Sequence, residues 1–83
     1  MSVIQKGLFP VMERFPGHRD TVKRLFRESE TFQAICEDYM RCADALRYWN
    51  RFDSEEALAR REEYGVLLQD LEAEISQSLN ESK

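Results

Sequence analysis

One histidine, two cysteines and three glycines are all that this 83-residue chain holds of the residues on which most small active sites depend. His18 has no cysteine or carboxylate cluster at a spacing that converges on it, so a capping or surface place is expected for it in preference to catalysis. Cys36 and Cys42 stand about 120° apart around a helix of about 3.6 residues per turn, so they neither pair nor grip one metal together. A zinc site takes four nitrogen or sulfur ligands as a rule, and one histidine with two divergent thiols falls short. Gly7, Gly17 and Gly65 are scattered and make no phosphate-cradling loop. The expectation is a chain with no metal, no cofactor, no small-molecule substrate and no catalytic residues.

Long apolar runs are also missing. No segment approaches the roughly 20 consecutive apolar residues that span a bilayer, so no membrane span is expected. The opening "MSVIQKGLFPVMERF" lacks the charged start and unbroken hydrophobic middle of a secretory signal, which makes cytoplasmic the expected location and reduced thiols the expected state of both cysteines. With only two prolines beside the three glycines, turn-rich sandwiches are excluded too.

What is present is charge and helical periodicity. Charged residues make up 34% of the chain and hydrophobic ones 42%, a balance that suits an all-α protein. At this size a fold leaves about 40% of its unfolded surface in water and is marginal without help, so self-association is expected. The net charge of −4 is unevenly spread: residues 1–27 carry +4 and the remainder −8. Such asymmetry lets a basic segment fold onto its own acidic chain or steer an acidic partner.

Pro10, Pro16 and Gly17 punctuate residues 1–17, which read as an irregular, at most briefly helical, extension. A first helix over about 18–28 follows, with Val22, Leu25 and Phe26 on an apolar stripe and Arg19, Lys23, Arg24 and Arg27 around it. Its stripe is expected to cover the apolar end near Phe32, Ile75 and Leu79, with its arginines facing carboxylates. Ser29 breaks the phase and is a natural N-cap for a second helix over about 30–49. There Phe32, Ile35, Tyr39, Cys42, Leu46 and Trp49 recur at alternating steps of three and four, the spacing of a seam. Asn50 is expected to stop this helix in a left-handed conformation, and Asp53 with Glu56 reads as a capping box. A third helix over about 54–79 then presents Ala57, Arg61, Tyr64, Leu68, Leu71, Ile75 and Ser78, widened by Leu58, Leu67 and Leu79, before a frayed tail at 80–83. The short connection makes the two long helices an antiparallel, coiled-coil-like hairpin. Arg61, the one charge on the seam, is expected to extend its stem across it and reach water.

Phe15-Pro16, Arg19-Asp20, Arg24-Leu25, Glu28 and Phe32 within "FPGHRDTVKRLFRESETF" resemble the opening of the YdcH-like family of small bacterial proteins. Leu71, Glu74 and Ile75 match as well, across about residues 15–79 without a gap. Where that family shows a His-x-x-Leu-Asp pattern this chain has Tyr39, Cys42 and Ala43, so it resembles a divergent member. The resemblance implies a helical hairpin and no activity. It also implies that "MSVIQKGLFPV" is an extension, or that Met12 is the start.

Adjacent carboxylates such as Glu37-Asp38, Glu55-Glu56 and Glu62-Glu63 point about 100° apart on a helix and read as solvated faces. Function is therefore sought in surfaces. A non-enzymatic protein-protein interaction module that forms homo-oligomers is expected, with Tyr48, Trp49 and Phe52 at the hairpin tip as a docking or dimer patch. The alternative is nucleic-acid or anionic-surface binding through Arg19, Lys23, Arg24 and Arg27, against which the overall acidity argues. A redox role for Cys36 requires an exposed thiol, and its place beside Phe32 and Ile35 speaks for partial burial.

Overall fold

Ser29 serves two helices at once. Its extended backbone (φ −129°, ψ 115°) ends one helix, its N–H donates to the Leu25 carbonyl at 2.9 Å, and its hydroxyl accepts the Phe32 N–H at 3.1 Å to start the next. Gln33 secures this corner by donating its side-chain amide to the Phe26 carbonyl at 2.6 Å. In the computed structural model, which describes residues 7–82, the chain is all-helical: α1 Leu8–Arg14, α2 Arg19–Glu28, α3 Glu30–Trp49 and α4 Glu55–Glu81. A 3-10 turn, Pro16–His18, joins α1 to α2. The expectations placed on residues 1–6 and on Lys83 lie outside the described residues.

The stretch expected to be irregular or at most briefly helical contains a seven-residue helix. Pro10 is tolerated there because the N–H it lacks belongs to the first turn, whose donors have no helical partner. Leu8, Val11 and Met12 are buried against the rest of the protein, so residues 7–12 are part of the fold. Gly7 makes this possible: it takes the left-handed region (φ 86°) and lies so near the backbone of α3 that a Cβ would run into the Cys36 carbonyl group.

Three helix ends differ from expectation. Asn50 stays right-handed (φ −65°, ψ −12°), because Arg51 and Phe52 donate to the Tyr48 and Trp49 carbonyls at 3.2 Å and tighten the last turn without a left-handed residue. Ser54, not Asp53, caps α4, accepting the Ala57 N–H at 3.1 Å. The expected frayed tail is helical to Glu81, because Leu79 is only 2% exposed and holds the final turn against the core.

α3 and α4 form the most extensively packed pair. The Cys42 thiol donates to the Tyr64 carbonyl at 3.1 Å and the Tyr39 hydroxyl donates to Glu72 at 3.0 Å, so residue numbers rise along one helix as they fall along the other. α1 and α2 both pack on α3, and one core results: Leu8, Val11 and Met12; Val22 and Phe26; Phe32, Cys36, Tyr39 and Cys42; Leu71, Ile75 and Leu79. Leu25, Ile35, Tyr64 and Leu68 border it half-buried. The seam fades toward the turn, where Leu46 and Trp49 are half-buried and outside this cluster and Leu58 and Leu67 are exposed. Two helices alone enclose little there, although α1 reaches along α3 far enough for Pro10, Glu13 and Arg14 to line a surface pocket with Ala43 and Arg47.

Two substitutions test this arrangement by chemical denaturation. Gly7→Ala should cost more than about 1 kcal/mol, since it meets both a positive φ and a steric overlap. Ile75→Ala, at a fully enclosed side chain, should cost about 2–5 kcal/mol, and an unshifted midpoint for either would contradict the packing described.

Candidate functional site

The basic residues of α2 divide into two groups. Arg24 is half-buried and donates to the Ser82 carbonyl at 3.0 Å and hydroxyl at 2.7 Å, placing a cation at the C-terminal end of α4, where the helix dipole favours it. It also pairs with Glu28 one turn away at 3.5 Å. Arg19, Lys23 and Arg27 follow one another at four-residue steps along the exposed side, and among the described residues no carboxylate lies within ion-pairing distance of them. The expectation that these arginines face carboxylates across the fold is therefore not met. Arg24 meets a helix end, because α2 crosses where α4 finishes.

A second cation also acts on backbone. Arg61 does not run out to water as expected: its Nη1 donates to the Trp49 carbonyl at 3.0 Å and the Phe52 carbonyl at 2.6 Å. The Trp49 carbonyl closes the last turn of α3 and the Phe52 carbonyl lies in the loop beyond it, and the guanidinium gives both a charged donor. The turn is thus held in one shape, and Tyr48, Trp49 and Phe52 come together as the sequence implies. Their ring centroids lie 5.2–6.0 Å apart, tilted or edge-on to one another. Tyr48 remains 50% and Phe52 40% exposed, with the Arg51 guanidinium 5.8 Å from the Tyr48 ring centre.

Between α3 and α4, on the flank away from α1, runs a groove of about 290 Å³ lined by Asp38, Arg41 and Cys42 on one wall and Tyr64, Leu67 and Leu71 on the other. Cys42 is buried beneath it, and desolvation raises its pKa. Cys36 is fully enclosed, more than the partial burial expected of it, because α1 closes over that side of α3; burial pushes its pKa up to about 12. Burial thus disfavours the thiolate, the reactive form, at both positions. Both are free thiols.

The sequence offered no sign of the polar contact that ties α1 down. Arg14 pairs with Glu72 at 3.0 Å, and the same carboxylate accepts the Tyr39 hydroxyl. Hydrogen bonding to Glu72, then its charge, raises the Arg14 pKa; burial first, then the bond to Glu72, takes Tyr39 up to about 12. Arg14 and Glu72 are 58 residues apart, so no local pattern links them. Among the described residues no three metal-ligating side chains gather in one place, and His18 lies half-buried at the start of α2 without a side-chain capping bond. No protein-family model, no curated protein and no solved structure matches this chain.

Alkali should weaken this core from the inside. Cys36 and Tyr39 hold their protons more tightly folded (about 12) than unfolded (9.0 and 10.0), so the stability each contributes is whole below its unfolded value and is lost as pH rises toward 12. Urea midpoints measured from pH 8 to 12 should fall, and fall less steeply in a Cys36→Ala, Tyr39→Phe variant. An identical slope would show that these groups do not sense folding.

Proposed function

We propose that the chain is a non-enzymatic protein-protein interaction module: a coiled-coil-like antiparallel hairpin, buttressed by α1 and α2, that associates with itself and docks another protein in the cytoplasm. The distribution of exposed apolar side chains carries this reading. Tyr48, Phe52, Leu58, Val66 and Leu67, each at least 40% exposed, lie around the turn or along α4, and Phe9, 58% exposed, adds a further apolar side chain on α1. A helix whose apolar residues are spread around its circumference, as Leu58, Val66 and Leu67 are on α4, suits contact on more than one side. Two unpaired thiols suit a reducing compartment.

We also propose the YdcH-like kinship. In its favour, several of the shared residues occupy structural posts: Pro16 opens the turn into α2, Arg24 caps α4, and Phe32 sits in the core. A second reading, binding of nucleic acid or another anionic surface, is favoured by the exposed stripe of Arg19, Lys23 and Arg27. Several phosphate contacts there would give a steep dependence on salt.

Sedimentation across micromolar concentrations should show concentration-dependent association. In affinity capture, a folded Tyr48→Ser, Phe52→Ser variant should lose a recurrent protein partner that the unaltered chain retains. A chain that stays monomeric and recovers only nucleic acid, with recovery lost on changing Arg19, Lys23 and Arg27 to glutamate, would replace the first reading with the second.

A further inference from the structure

The groove beside Leu67 has a symmetry that its own chain does not use. When two copies of one helix pack antiparallel about a twofold axis, the residue a given number of places before the axis faces the residue the same number of places after it. On the outer wall of α3, let the axis pass midway between Asp38 and Arg41. Asp38 then faces Arg41 of a second copy, Arg41 faces Asp38, and Ala34 faces Ala45, where small side chains allow the helices to approach closely. On the wall of α4, let the axis pass at Leu67. Leu67 then meets its own counterpart, Arg60 faces Glu74, and Tyr64 faces Asp70. The Cys42 thiol reaches the Tyr64 carbonyl and the Tyr39 hydroxyl reaches Glu72, which sets the midpoint of Asp38 and Arg41 opposite the stretch of α4 from Leu67 to Leu71, so an axis beside Leu67 serves both walls.

From this charge complementarity we infer that the occupant of the groove is a second copy of the chain, related by a twofold axis through Leu67, so that two α3–α4 pairs form an antiparallel four-helix arrangement with their turns at opposite ends. The proposal rests on the self-association proposed above and adds the face and its register. Leu67, 46% exposed in the single chain, becomes the centre of the contact, and Tyr64 and Leu71 beside it lose their remaining exposure. Existing ion pairs do not compete strongly. Arg41 lies 3.8 Å from Asp38 and 3.7 Å from Glu37 within its own helix, and Arg60 lies 3.9 Å from Glu56 and 3.2 Å from Glu63, all among exposed side chains where such pairs are weak. Each arginine can therefore reorient toward, or share itself with, a carboxylate across the axis. α1 and α2 lie on the other flank or at the far end of the pair, so the fold leaves the groove open.

Charge exchange tests both the face and the register. Asp38→Lys places cations opposite Arg41 on both sides of the axis, and Arg41→Glu places anions opposite Asp38, so each variant alone should raise the dimer dissociation constant by about tenfold or more. Mixed in equal amounts, the two variants should dimerise with each other, the introduced lysine facing the introduced glutamate and the native Arg41 facing the native Asp38. Loss of an ion pair within one chain cannot be repaired by mixing. Leu67→Lys should also yield a monomer. All three positions lie on the surface, and circular dichroism should show unchanged helix content. If the unaltered chain dimerises and these variants do so equally well, or the mixture fails to restore association, this face and register are wrong while self-association stands. If the unaltered chain is monomeric throughout, self-association itself falls and this proposal with it.

Discussion

The contact between Gly7 and the Cys36 backbone sets how the rest of the molecule packs. An α-helix as short as α1 is not stable alone and must be held by what it buries. Because Gly7 has no side chain, the start of α1 can rest against α3, and Leu8, Val11 and Met12 then close over Cys36 and Tyr39. The far end of α1 is tied by Arg14 to Glu72, so the helix is held to both long helices. The apolar contacts supply most of the energy. Burying a side chain of this size contributes about 1.5–3 kcal/mol, whereas an ion pair as exposed as that of Arg14 is screened by water and adds little.

That buttressing divides the α3–α4 pair into unlike halves. In one half four helices share a core whose most enclosed members include Val11, Val22, Cys36, Ile75 and Leu79. In the other, the two helices close over Ala57 alone, and backbone pairing supports the turn: Ser54 caps α4 and Arg61 donates to the Trp49 and Phe52 carbonyls. The rigid turn then presents Tyr48, Trp49 and Phe52, and the flank presents Leu67. The proposed interaction surfaces thus lie where the fold cannot complete its own core, which is the physical basis for reading the protein as a module that finds its remaining burial in partners.

Charge acts here mainly at backbone ends. Arg24 and Arg61 are the two cations with the most specific partners, and both hold carbonyl oxygens at or near a helix terminus. The asymmetry between a basic start and an acidic remainder is expressed through this pairing and through Arg14 with Glu72, leaving Arg19, Lys23 and Arg27 exposed on α2.

Periodicity and the cap at Ser29 were legible in the residues alone, while the helix ends expected at Asn50 and Asp53 were not. The alternating steps from Phe32 to Trp49 and the break at Ser29 located α2 and α3 to within a residue, because a helix's buried stripe and its first unpaired N–H groups impose local rules. Tyr48, Trp49 and Phe52 were legible for the same reason, being close in sequence. What only the tertiary structure decided involves residues far apart. α1 was hidden because its prolines and glycine read as punctuation, and Gly7 becomes a packing device only once Cys36 is beside it. Arg61 sits on the seam in either account, but its partners are carbonyls that a turn has to bring near. The exposure of Leu58 and Leu67 depended on which flank α1 would cover, and periodicity identifies the apolar faces of a helix without saying which neighbour reaches each of them.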